Sequence, residues 1–177
     1  MTKYTFVMEP LLLLYVQVVK FGNFTLKGGH VTPVYFDLRR LISFPKILKM
    51  ATQIIDEVIQ ERGLSYDHVC GVPLAALPLA TTYAIPRDIP MIMPRKETKG
   101  HGTNNLVEGV FQKGDTSLII EDTVVSGQSI ADVADSLAER CGIHVTDAIV
   151  VLDRAQGATA SLQRRGITLH SCIDVFQ

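Results

Sequence analysis

The sequence has no excess of either charge, few cysteines and no long apolar run. Among 177 residues, 17 Lys and Arg stand against 18 Asp and Glu, a formal net charge of −1. That balance argues against a broad basic surface gripping nucleic acid through its phosphates, so any site for a strongly charged ligand must be a local cluster. The three cysteines (Cys70, Cys141 and Cys172) show no CxxC spacing. They fit neither a disulfide scaffold nor a zinc ribbon, and suit a reducing, cytoplasmic compartment. The longest apolar run near the start, Leu11 to Val16, falls far short of the ~18–20 residues of a membrane span. Lys3 ahead of residues 11–19 has the outline of a signal peptide, but Glu9 and Pro10 interrupt it and no A-x-A pattern follows. The expectation there is an amphipathic first helix packed on the domain. Repeats, low-complexity tracts and linkers are missing as well, so residues 1–177 read as a single domain.

What is present is a globular composition, 47% hydrophobic and 20% charged, with segments of helical period alternating with short apolar runs. Residues 23–27 and 31–37 read as strands joined by a hairpin-like turn at Lys27-Gly28-Gly29-His30. A helix starts at Ser43-Phe44-Pro45 and stops at Gly63, with Ile47, Leu48, Ala51, Ile54, Ile55, Val58 and Ile59 on its apolar face. Further strands are expected at 68–72, 91–95, 117–121, 145–153 and 167–173, and helices at 74–84, 130–140 and 159–164. Residues 97–109 have no apolar period and read as a functional loop. Strands alternating with helices predict an α/β fold, a mainly parallel sheet flanked by helices.

The segment with most chemistry runs from Leu118 to Ile130. An apolar strand is expected to end in Glu121 and Asp122, and Thr123, Val124, Val125, Ser126, Gly127, Gln128 and Ser129 then lead into a helix. Open parallel sheets bind ligands at the carboxyl ends of their strands, and a small-residue loop at a helix N-terminus suits a phosphate. Two carboxylates would repel that phosphate, which points them at ribose hydroxyls or a hydrated Mg²⁺. On spacing alone, ordinary loop acids and a capping Ser126 are an equal reading. Arg95, Lys96, Lys99 and His101 form the local cationic cluster; in isolation a solvated Lys/Arg-rich loop is the commoner reading, and their density in a glycine-containing loop favours a lid over an anionic ligand. His68-x-Cys70 and His170-x-Cys172 lack the further ligands a metal site needs, and His30 and His144 read as surface residues.

These segments resemble the type I phosphoribosyltransferases. The acid pair with its x-x-x-S-G-x-S loop looks like their phosphoribosyl-pyrophosphate (PRPP) motif. The segment from Phe21 to Gly29, then Pro33 to Arg39, resembles the N-terminal substrate segment of orotate phosphoribosyltransferases, and Arg95 to Gly102 is similar to their catalytic loop. Three further stretches, Cys70 to Ala80, Leu106 to Gly109 and Asp147 to Arg154, look like the orotate phosphoribosyltransferase half of eukaryotic UMP synthases. The likeness runs from about Leu11 to Cys172.

The resemblance implies a type I phosphoribosyltransferase fold with a small N-terminal hood. It implies transfer of phosphoribosyl from PRPP to orotate, giving orotidine 5′-monophosphate and pyrophosphate on the route to UMP. Lys99 and Asp122 would be catalytic. PRPP would be held by Arg95, Lys96, Lys99, His101 and residues Glu121 to Ser129, and orotate by Lys27, Tyr35, Phe36 and Arg154. Mg²⁺ would be carried mainly by PRPP and water, and a homodimer would share its Lys99 loops between sites. An orotidine monophosphate decarboxylase, as a domain or separate protein, is an expected partner; nucleic acid and membrane are not. The chain departs from the usual pattern at Leu74-Ala75, at Val125 in place of Thr and at Gly28 in place of Ser. A PRPP-binding regulator or inactive paralogue, or an enzyme for another base, stands as the alternative. Arg154 has a plain alternative too, a structural ion pair with Asp153.

Overall fold

In the computed structural model, which describes residues 17–25, 31–95 and 107–174, the first element is an antiparallel hairpin of β1 (Val19–Thr25) and β2 (Val31–Phe36). The sequence pattern puts residues 18 and 19 at the end of a helix. The structure pairs Val19 with Phe36 across the hairpin, and the Asp37 N–H donates to the Val18 carbonyl at 2.7 Å. Two β-branched residues accept the extended backbone, and the long-range pairing that decides the matter leaves no local period. The rest of the expected first helix, and the turn from Lys27 to His30, lie outside the described residues.

A 3₁₀ segment, Leu38–Ser43, follows unannounced and buries Leu38 and Leu41. Helix α1 (Pro45–Arg62) starts at Pro45, where no N–H is required, and ends at Gly63 with φ 61°, a left-handed conformation that glycine adopts without penalty. Then come β3 (His68–Gly71), α2 (Leu77–Ala84) and β4 (Met91–Pro94). Residues 73–76 make turns before α2, so the helix begins later than residue 74 and Pro78 falls in its first turn. Within the stretch read as loop, β5 (Val107–Glu108) pairs antiparallel with β4; residues 97–106 lie outside the described residues. The chain continues with β6 (Ser117–Val124), α3 (Gln128–Cys141), β7 (Asp147–Asp153), α4 (Ala158–Gln163) and β8 (Thr168–Asp174).

The central sheet has the order β5-β4-β3-β6-β7-β8, parallel throughout except for β5. One face buries Leu118, Ile120, Ile149 and Val151 under α1 and α2, together with Leu38 and Leu41. The other buries Cys70, Ile92, Ile119 and Val150 under α3 and α4. Two covered faces explain why the parallel strands read as continuous apolar runs.

From β3 the chain moves outward to β4, and from β6 it moves the other way to β7. The crevice where strand order reverses therefore opens at the carboxyl ends of β3 and β6, where open α/β sheets bind ligands.

Candidate functional site

Four strand ends meet at this edge of the sheet. The turn at residues 73–76 follows β3, Arg95 follows β4, the loop 125–127 follows β6 and Arg154 follows β7. Backbone hydrogen bonds fix their relation: Val72 N–H donates to Ile120 O at 3.0 Å, and Arg154 N–H to Val124 O at 3.1 Å. Close packing at β3 requires glycine, because a Cβ on Gly71 would lie 2.9 Å from the Ala76 carbonyl oxygen.

The acid pair does not end its strand. Pairing with β7 carries β6 on through Thr123 and Val124, which faces Asp153 in the register. The pleat then sends Glu121 and Asp122 to opposite faces. Glu121 is buried and its Oε1 accepts the Asp122 amide at 3.0 Å. Burial, then a hydrogen bond to the Asp122 carboxyl and that group's charge, push Glu121 far above the usual carboxylate range. Glu121 therefore favours its neutral form more than an exposed carboxylate does, its Oε1 anchors the Asp122 backbone, and the half-buried Asp122 is the acid more open to a ligand.

Past Val124 the loop is short. Val125 is half-buried, Ser126 exposed, and Gly127 buried at φ 79° as the residue before α3. A Cβ on Gly127 would meet Leu162 at 2.9 Å, so conformation and space both demand glycine. Ser126 Oγ receives the Gln128 N–H at 3.4 Å, a long contact rather than a firm cap. The helix ladder begins with Ala131 N–H to Gly127 O, so the amides of Gln128, Ser129 and Ile130 have no carbonyl one turn back. That ring of donors, with the helix dipole behind it, favours an anion. The Gln128 side chain instead donates to Asp132 at 2.6 Å, and the buried Thr123 hydroxyl has no partner among the described residues.

Across the crevice stands Arg154, only 6% exposed. It makes no ion pair with Asp153, whose Oδ1 accepts the Ala155 amide at 2.8 Å. Its Nη2 donates to Thr32 Oγ1 at 3.2 Å, the guanidinium lies 5.8 Å from the Phe36 ring centre, and buried Nε has no partner among the described residues. The two aromatic residues divide as the strand period requires. Phe36 packs against the core and under Arg154, and Tyr35 meets Phe24 with ring centres 5.4 Å apart.

Two charged contacts had no prior signal. Arg39 donates from Nε to Asp37 Oδ1 at 2.6 Å and from Nη2 to the Tyr35 hydroxyl at 3.2 Å. Asp37 first, with smaller effects of Tyr35 and Asp122, raises the Arg39 guanidinium above its ordinary range, which sets a cation on the hairpin side of Asp122. Arg95 donates to Glu108 Oε1 at 2.8 Å across β4 and β5, a pairing hidden in sequence because β5 was not foreseen. Lys27, Lys96, Lys99 and His101 lie outside the described residues.

The sheet order, the crevice between β3 and β6 and the anion-binding loop after β6 define the class: the chain has the type I phosphoribosyltransferase fold. It superposes on the orotate phosphoribosyltransferase of Aeropyrum pernix with a TM-score of 0.79 at 29% identity, covering 92% of both chains. On the UMP synthase of Leishmania donovani the TM-score is 0.83 at 34% identity, over 92% of this chain and 35% of that one.

Among curated sequences, it is 52% identical over 141 residues to an orotate phosphoribosyltransferase of Caenorhabditis elegans, which covers 80% of this chain and 62% of the relative. It is 49% identical over 156 residues to bovine uridine 5′-monophosphate synthase, 88% of this chain but 32% of the relative. The chain thus spans less than two thirds of these two relatives. The orotate phosphoribosyltransferase of Pyrococcus furiosus is 35% identical over 161 residues, covering 91% of this chain and 88% of the relative. No protein-family model matches the chain. The chain belongs to the orotate phosphoribosyltransferase family.

Proposed function

We propose that the chain transfers the phosphoribosyl group of PRPP to orotate, giving orotidine 5′-monophosphate and pyrophosphate. The observation that carries this reading is Arg154: a buried guanidinium, with no carboxylate partner among the described residues, beside an aromatic ring at the switch point of the sheet. Burying a cation without a counter-charge is costly, and orotate is a planar ring bearing a carboxylate, so it answers both the charge and the shape.

The remaining groups take roles by their chemistry. The first-turn amides of α3 and the loop 125–127 receive the 5′-phosphate. Asp122, its amide held by Glu121 Oε1, faces the ribose hydroxyls. In the reaction a ring nitrogen of orotate bonds to ribose C1 as the C1–oxygen bond to diphosphate breaks, and the proton of that nitrogen passes to the departing diphosphate or to water. Positive charge builds on the sugar and negative charge on the leaving group, so fixed charges and exclusion of water do the work that a nucleophile does elsewhere. Arg95, with Lys96, Lys99 and His101, meets the diphosphate. Mg²⁺, which would neutralise that diphosphate, suits the donor set if most of its ligands are substrate oxygens and water. No group of three or more His, Cys, Asp or Glu side chains able to hold a metal forms among the described residues, and Asp122 supplies one carboxylate.

The reading includes a homodimer sharing its Lys99 loops, a cytoplasmic location and a decarboxylase acting on the product. No helix among the described residues is long and apolar enough to cross a membrane. The test is the loss of orotate absorbance with PRPP and Mg²⁺, with uracil and hypoxanthine as controls. Orotate should disappear only when both are present, and EDTA should stop it. Consumption of uracil or hypoxanthine but not orotate would assign another base.

A further inference from the structure

Thr32 belongs to no motif that marks the site, yet it makes the only side-chain hydrogen bond that the described residues offer to Arg154, 122 positions away. A hydroxyl has one proton to give. Thr32 gives it to the Val34 carbonyl at 3.0 Å, so toward Arg154 Nη2 at 3.2 Å and the Val34 N–H at 3.3 Å the same oxygen acts as acceptor. Its direction is set twice over. Pro33 confines the residue before it to extended backbone, and the β-branched side chain has few rotamers.

With Nη2 tethered and one face of the guanidinium over Phe36, the plane of Arg154 is fixed while Nε stays buried and unpartnered. Resting on the orotate reading, we infer that Thr32 is a positioning residue for substrate recognition. Its hydroxyl holds the Arg154 guanidinium in the plane that accepts the carboxylate of the base, and so ties the β1–β2 hairpin to the ligand site on β7. A loose arginine would still attract the carboxylate, but would have to be ordered at each binding event.

Kinetics of Thr32→Val and Thr32→Ser with both substrates test this. Thr32→Val keeps the shape and removes the acceptor, and should raise the KM for orotate about tenfold while kcat and the KM for PRPP stay within about twofold. Thr32→Ser should return the orotate KM to within about twofold of the parent. Combined with Arg154→Gln, Thr32→Val should add nothing to the orotate defect, because it acts through the arginine. Thr32→Ala carries the same comparison if Thr32→Val does not fold. An unchanged orotate KM, an equal rise in both KM values, failure of serine to rescue, or independent additive effects would each overturn the positioning role. A parent enzyme that leaves orotate untouched would overturn the orotate reading and this inference with it; normal turnover with an insensitive Thr32 would overturn this inference alone.

Discussion

Two arginines in this molecule are treated in opposite ways. Arg87, at the end of the 3₁₀ turn after α2, donates from Nε to Asp56 at 2.7 Å and from Nη1 to the Tyr83 carbonyl at 3.0 Å. Its guanidinium lies 4.5 Å from the Tyr83 ring centre, and the Tyr83 hydroxyl meets that of Tyr66 at 2.5 Å. Every element of that cluster has a partner, and it locks α1 to α2. Arg154 is more deeply buried, yet has one hydroxyl, one ring and no acid among the described residues. A satisfied arginine is structure that is finished within the chain. An unsatisfied one is tolerated only where something from outside completes it.

The contrast is broken most severely at Arg154. Arg154→Ala should lower kcat/KM for orotate by roughly 10²–10³-fold, the equivalent of ~3–4 kcal/mol for one side of a buried charge pair. The melting temperature should hold or rise, because an uncompensated buried charge is gone; steady-state kinetics and calorimetry read the two. Loss of stability without loss of orotate affinity would make Arg154 structural after all.

Arg87→Leu should do the reverse. Removing a charge-assisted hydrogen bond and a ring contact costs about 2 kcal/mol. For a chain of this length that is about 4–8 °C of melting temperature, while the orotate KM at 25 °C stays near the parent value. A raised KM with unchanged stability would mean that α2 feeds the site directly.

The smallest effect belongs to Glu121→Gln, which sharpens the comparison by testing a buried carboxyl whose pKa burial raises. With its pKa raised in the folded state, Glu121 keeps a proton that the unfolded chain sheds from about pH 4.5. The unfolded state therefore binds fewer protons, and stability falls as pH rises from there toward the folded-state value. Gln keeps an oxygen to accept the Asp122 amide and removes this slope. The variant should gain a few degrees of melting temperature at pH 8 relative to the parent, and little at pH 5, with turnover largely preserved. A variant that loses stability at pH 8 would show that Glu121 is charged in the folded protein.

Much of the helical and strand pattern was legible locally. Helix α1 has a proline start, a seven-residue apolar face and a glycine stop within one continuous stretch, and its bounds in the structure agree with that pattern. A loop before α3 was also legible, since small residues leading into a helix carry their own signal, but it is shorter than expected because β6 runs on to Val124 and α3 starts at Gln128. The start of β1 at Val19 and all of β5 were not, because each becomes strand only through a partner found elsewhere in the fold. For the same reason Glu108 was invisible as the partner of Arg95. The sequence also allowed an ion pair between Arg154 and Asp153, and the backbone removes that reading: Asp153 turns to the Ala155 amide.

By itself, then, the amino-acid sequence determined the α/β class, the limits of α1 and the short small-residue loop that leads into α3. These rest on periods, caps and glycines whose energetics are set within a turn or two of chain. Only the tertiary structure decided which charges are spent and which are free. Burial raises the Glu121 pKa, Asp56 and Tyr83 complete Arg87, and Thr32 and Phe36 orient Arg154 without neutralising it. Desolvation and pairing depend on which groups meet in space, and residues more than a hundred positions apart along the chain hold no such information between them.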